Sequence, residues 1–191
     1  MIQVRYATHA DIPAMEALIA RSGIALSAGF YTPEQAQAVT RYVFGVDTQL
    51  VADQTYFVIE KDGVLAACGG WSKRSTLFGA DRTKQGADPL LDPAREAARI
   101  RAFFVDPSMA RQGLGRMLLQ HCTDAAAAGG FHMLELAATM PGVPLYQACG
   151  FEIVEPIEIS LPSDDGNQAN EPDGGKVKVP LAKMRKSITP A

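Results

Sequence analysis

The sequence predicts an α/β (α+β) fold of about seven strands and about four helices, on three observations. Short β-branched and aromatic runs, some alternating polar and apolar residues, interchange with stretches whose apolar residues recur at helical spacing. Two of the strand-type runs are joined by an Asp-Gly pair, the mark of a tight antiparallel hairpin. A pair of glycines stands at the entrance to the longest helical stretch. The 191 residues, 47% of them hydrophobic, suffice for one core, so residues 1–191 are read as a single domain.

Residues 2–6 alternate as a half-buried strand does, and Thr8 and Asp11 then supply a hydroxyl and a carboxylate suited to capping a helix. That helix carries Ile12, Met15 and Ile19 on one face, tolerates Pro13 in its first turn, and is expected to end at Ser22-Gly23. A second helix opens with Thr32 as N-cap, Pro33 at its first position and Gln35 at its third, and Gly45 follows Phe44 as a stop. Residues 55–60 and 64–71 form the hairpin strands around Lys61-Asp62-Gly63. From 72 to 98 the chain turns polar, with Gly79, Gly86, Pro89 and Pro93, which predicts an inserted loop and a candidate lid.

Residues 100–105 make a strongly apolar strand that Asp106-Pro107 breaks. Between Gly113 and Gly129, Leu114, Leu118, Cys122 and Ala125 share one helical face, with Arg116, Gln120, Thr123 and Asp124 on the other. Residues 133–137 read as a buried strand, 144–148 as a short helix stopped by Gly150, and 151–154 and 176–184 as the closing strands. The polar, glycine-rich stretch at about 162–175 predicts a mobile loop.

Bulk properties exclude several classes. A net charge of -3 offers no basic field to neutralise phosphates along a nucleic acid, so no such partner is expected. No window approaches the roughly 20 apolar residues of a membrane span, and no leader-like apolar segment follows Met1, so a cytoplasmic protein without a membrane partner is expected. Cys68, Cys122 and Cys149 lack any Cys-x-x-Cys spacing and read as free thiols in a reducing compartment. His9, His121 and His132 are scattered, so no metal is expected.

A strand, a loop with Gly113-Leu114-Gly115 and then a helix is the order a phosphate site needs, because glycines let backbone N–H groups approach an anion at a positive helix end. Arg111 and Arg116 add full charges. A plain tight turn at a helix start gives the same Gly-x-Gly. The spacing is not that of a Walker loop, and Leu118 occupies the third glycine position of the dinucleotide fingerprint.

The run Ile100-Arg101-Ala102-Phe103-Phe104-Val105-Asp106-Pro107, followed by Arg111-Gln112-Gly113-Leu114-Gly115-Arg116-Met117-Leu118-Leu119, resembles the acetyl-CoA-binding core of the GNAT superfamily of N-acetyltransferases. Leu145-Tyr146-Gln147-Ala148-Cys149-Gly150-Phe151 is similar to that family's second landmark, a tyrosine on a short helix before Gly-Phe. One departure is Ala110, where the family usually carries Gln or Arg. The resemblance implies a central mixed, mostly antiparallel twisted sheet flanked by the helices and splayed between its central strands. It further implies acetyl-CoA as acyl donor, held by Phe104, Val105, Arg111, Gln112, Gly113, Leu114, Gly115 and Arg116, with a backbone N–H near Val105 polarising the thioester carbonyl. Tyr146 would protonate the departing sulfur, unless it is a core or rim aromatic.

The acceptor implied is a small-molecule amine or a peptide amine, and a homodimer through edge strands is compatible with the family. Glu60, Glu96, Glu135 and His132 are candidate bases, each with a solvated or salt-bridged alternative. His9 and His121 read as structural. Trp71, Phe103, Phe30 and Tyr31 are candidates for the acceptor side, with core packing as the alternative. Arg99 and Arg101 share one face of their strand, and would bind an acidic acceptor or pair with neighbouring carboxylates. Two other readings stay open, a non-catalytic acyl-CoA-binding or sensor protein and an enzyme using a longer acyl donor or an oxygen acceptor.

Overall fold

The computed structural model describes residues 1–81, 88–163 and 176–189. Seven strands lie in one sheet: β1 (Ile2–Tyr6), β2 (Tyr56–Lys61), β3 (Val64–Ser72), β4 (Ala98–Val105), β5 (Met133–Thr139), β6 (Glu152–Pro162) and β7 (Lys176–Ser187), in the order β1-β2-β3-β4-β5-β7-β6. Every pairing is antiparallel except that of β4 with β5. The helices are α1 (Ile12–Ala25), α2 (Pro33–Tyr42), α3 (Thr48–Ala52), α4 (Leu114–Ala128) and α5 (Val143–Ala148). Among the described residues, no helix is long and apolar enough to cross a membrane.

Strand alternation divides the core between the two faces of the sheet. Phe57, Ile59 and Ala67 pack with Leu114, Leu118 and Cys122 of α4. Their neighbours Tyr56, Val58 and Cys68 pack on the other side with Met15, Leu18 and Ile19 of α1 and with Leu50 of α3. Val39 of α2 closes a third cluster over Val177, Val179 and Leu181 of β7. Asp62 and Gly63 both take positive φ, 52° and 80°, as the predicted hairpin turn requires. Thr32 and Gln35 form the predicted capping box.

Three details differ from the sequence reading. Helix α1 runs past Gly23 and ends at Ala25. That glycine is a packing residue, since a Cβ there would lie 2.6 Å from Thr40 Oγ1 and 2.8 Å from the Phe44 ring. Helix α3 has no counterpart in the sequence reading, although Asp47 is its N-cap and accepts from the Gln49 N–H at 3.1 Å. Strand β6 extends to Pro162 because it pairs with β7 along its length, and the alternating Ile157, Ile159 and Leu161, half-buried against the third cluster, are the signal the sequence reading passes over. The loop expected at 162–175 lies outside the described residues from 164 onward, as do 82–87 of the inserted loop.

Two irregularities in β4 open the sheet at its centre. The strand meets β5 only through Ala98 with Leu134 and Arg99 with Glu135, and beyond that point the two diverge. It also bulges: Cys68 pairs with Phe104 but Gly70 with Arg101, which leaves an extra residue on β4, and Ala102 takes a φ of +55°. Gly69 opposite leaves room for the displaced Phe103 ring, which a Cβ would meet at 2.7 Å.

Candidate active site

The divergence of β4 from β5 opens a cleft of about 670 Å³. One end is the loop that enters α4. Arg111 and Gly113 have φ values of +63° and +83°, and the first bond into the helix is that from Met117 N–H to the Gly113 carbonyl, 3.0 Å. Among the described residues, the N–H groups of 111–116 find no protein acceptor. Consecutive unmet donors at a helix start, with Arg111 and Arg116 beside them, fit a pyrophosphate. Gly115 lets α5 approach closely, since a Cβ there would stand 3.0 Å from Leu145.

Phe104, Val105, Arg111, Gly113, Leu114, Gly115 and Arg116 all line the cleft. Gln112 does not: its Oε1 accepts from Lys61 Nζ at 2.6 Å, on the exposed surface, so only its backbone belongs to the loop. Asp106 N–H donates to the Ala66 carbonyl at 2.8 Å, toward β3. Backbone alternation therefore turns the Val105 N–H the other way, into the gap that β5 has vacated.

Tyr146 reaches the cleft from α5, between the Phe103 and Phe151 rings at 6.2 and 5.7 Å. Among the described residues no group hydrogen-bonds its hydroxyl. Burial holds its pKa above the ordinary phenol value, so it stays protonated through the neutral range. Burial likewise raises the Cys68 thiol to about 12 and the Cys122 thiol well above its usual value, which makes both poor nucleophiles.

None of the four candidate bases lines the cleft. Glu60 accepts from Arg5 Nε and Nη2 at 3.1 and 2.5 Å, at the β1 edge of the sheet. Glu96 accepts from the Asp92 N–H at 2.7 Å. Glu135 is buried among Arg99, Arg185 and Lys183, the last at 3.7 Å, so its charge is spent on cations. His132 is exposed beyond α4. Among the described residues no carboxylate or imidazole lines the cleft, and none gather as metal ligands.

The aromatic candidates divide. Phe103 and Phe30 line the cleft. Trp71 belongs to the core, edge-on to Phe131. Tyr31 is a clamp, donating to the Pro180 carbonyl at 2.6 Å and accepting from Met140 N–H at 3.0 Å. Arg99 pairs with Glu135. Arg101 forms a buried ion pair with Asp47 at 2.8 Å and donates to the Gly79 carbonyl. The sequence reading does not find Phe44, Leu77 or Phe78, which also line the cleft. The signal available is the Leu-Phe pair standing in an otherwise polar loop.

A sheet that opens between two parallel strands, beside a helix start with unmet N–H groups, frames the cleft, and the family match makes it that of an acyltransferase. Residues 25–151 match the Acetyltransferase (GNAT) family, and the chain belongs to that family. Comparison with curated proteins gave no match. The fold is similar to that of the ribosomal-protein-S18-alanine N-acetyltransferase from Escherichia coli, with 20% identity, a TM-score of 0.55, and coverage of 100% of this chain and 96% of that one. It is similar to the PaiA N-acetyltransferase from Thermoplasma acidophilum in complex with coenzyme A (12% identity, TM-score 0.61, 98% and 99% covered). It is also similar to yncA from Salmonella typhimurium with its cofactor acetyl-CoA (18%, 0.57, 98% and 94%).

Proposed function

We propose that this protein is a cytoplasmic N-acetyltransferase that moves an acetyl group from acetyl-CoA to a primary amine within one ternary complex, with residues 1–191 acting as one domain. The observation that carries it is the convergence in one cleft of unmet N–H donors, the Val105 N–H and a protonated Tyr146. Coenzyme A and acetyl-CoA in the two similar structures support the choice of donor.

Bound acetyl-CoA supplies an activated thioester. The N–H groups of 111–116, with Arg111 and Arg116, hold its pyrophosphate. The Val105 N–H donates to the carbonyl oxygen as that oxygen gains negative charge, which lowers the barrier to attack. Attack forms the C–N bond and breaks the C–S bond, and Tyr146 gives its phenolic proton to the departing sulfur. The proton lost by the amine passes to water in the open cleft, and solvent returns one to Tyr146. Binding the reactants side by side removes the cost of bringing them together.

The test is turnover. Acetyl-CoA incubated with the protein and a panel of primary amines should release free thiol and acetylated amine in equal amounts, read by a thiol reagent and mass spectrometry. Acetyl-CoA binding without thiol release across the panel would instead define a non-catalytic acyl-CoA-binding protein.

A further inference from the structure

The end of the cleft away from the phosphate loop is built from apolar and aromatic side chains. Leu26 and Phe30 come from just beyond α1, Phe44 from the chain after α2, and Leu77 and Phe78 from the chain that follows β3. Phe30 is 50% exposed and Phe78 38% exposed, so two large rings stand in water at this end, where covering them with an apolar ligand is favourable. Gly79 and Ala80, next to Phe78, are fixed, because the Ala80 N–H donates to the Val43 carbonyl at 3.2 Å and Arg101 donates to the Gly79 carbonyl.

Two of the polar side chains lining the cleft are already occupied. Arg101 is neutralised by Asp47 at 2.8 Å, and Ser27 Oγ donates to the Gly23 carbonyl at 2.6 Å. Among the described residues lining the cleft there is no Asp, Glu or His, so a second ammonium entering it would be stripped of water without a counter-charge. A single ammonium faces less cost, because it must shed its proton to react and leaves no second charge in the cleft.

Resting on the acyl-transfer reading above, we infer that the acceptor is a small primary monoamine carried on an aromatic body, and that Phe30 and Phe78 recognise that body. Polyamines and aminosugars are the acceptors this pocket selects against.

The experiment titrates 2-phenylethylamine and spermidine separately into the protein by calorimetry, with and without CoA present. 2-Phenylethylamine should bind about tenfold more tightly than spermidine or better, and Phe30→Ala and Phe78→Ala should each weaken it by roughly fivefold while leaving CoA affinity unchanged. Spermidine binding as tightly as 2-phenylethylamine, or both Phe variants binding it as the parent does, overturns the inference. Because the amine is titrated directly, the result stands whether or not thiol release is seen. Failure of acetyl-CoA to bind would count against the acyl-transfer reading by its own, separate titration.

Discussion

Tyr146 shows what one side chain can contribute when its surroundings are apolar. Between Phe103 and Phe151 the phenolate is disfavoured, and the raised pKa keeps the phenol protonated, as its proposed role as acid requires. Tyr146→Phe retains those ring contacts and removes only the proton, so kcat should fall by roughly 100-fold with little change in acetyl-CoA affinity. The pH profile carries the same sign. Because the shift is upward from about 10, loss of this proton should not depress kcat anywhere below pH ~10. An alkaline fall near pH ~8 that vanishes in Tyr146→Phe would contradict the assignment.

Residues tied to the backbone path are legible in the sequence at this scale, and residues tied to side-chain partners are not. Gly113 and Tyr146 stand in local patterns that reflect a helix entrance and a short helix. The charged residues depend on neighbours distant in sequence: Glu135 is bound to Arg99, Arg185 and Lys183, and Arg101 to Asp47. No local pattern in the sequence separates such a carboxylate from a general base.

Among the elements, β4 does most to build the cleft, and it does so by being irregular. Ala102 holds a left-handed conformation at the bulge, a position that costs an L-residue about 1 kcal/mol or more. Ala102→Gly should therefore leave stability within about 0.5 kcal/mol of the parent or raise it, whereas Ala102→Val should cost roughly 2 kcal/mol. Urea unfolding midpoints compare the three proteins directly. Equal losses for both variants would mean that the bulge is not strained.

The elements with strong periodicity or caps, such as α2, α4 and the β2–β3 hairpin, follow the sequence closely. Helix α1 reads as shorter in the sequence because Gly23 looks like a stop, while its real role is the close crossing of α1 with Thr40 of α2 and with Phe44. The bulge leaves no sequence mark, since Ala102 is an ordinary residue in an apolar run.

At the scale of the whole molecule, function rests on one topological fact: a parallel pair set inside an antiparallel sheet, paired at only two positions. The unpaired edges of β4 and β5 become the walls of the cleft, with the unmet N–H groups at the start of α4, the α1–α2 segment and residues 77–79 completing its lining. The strand order and the divergence depend on long-range pairing, which period and propensity do not encode. In the sequence they are visible only through resemblance to the family.

In the proposed function, the 111–116 loop binds the donor's phosphates. Calorimetric titration of acetyl-CoA into the parent protein and into Gly113→Glu tests it most directly, since the variant places a carboxylate at the anion cradle and a side chain where φ is +83°. The parent should form a one-to-one complex, and a folded Gly113→Glu protein should show no detectable binding. Equal affinity for the two, or no binding to the parent, would contradict it.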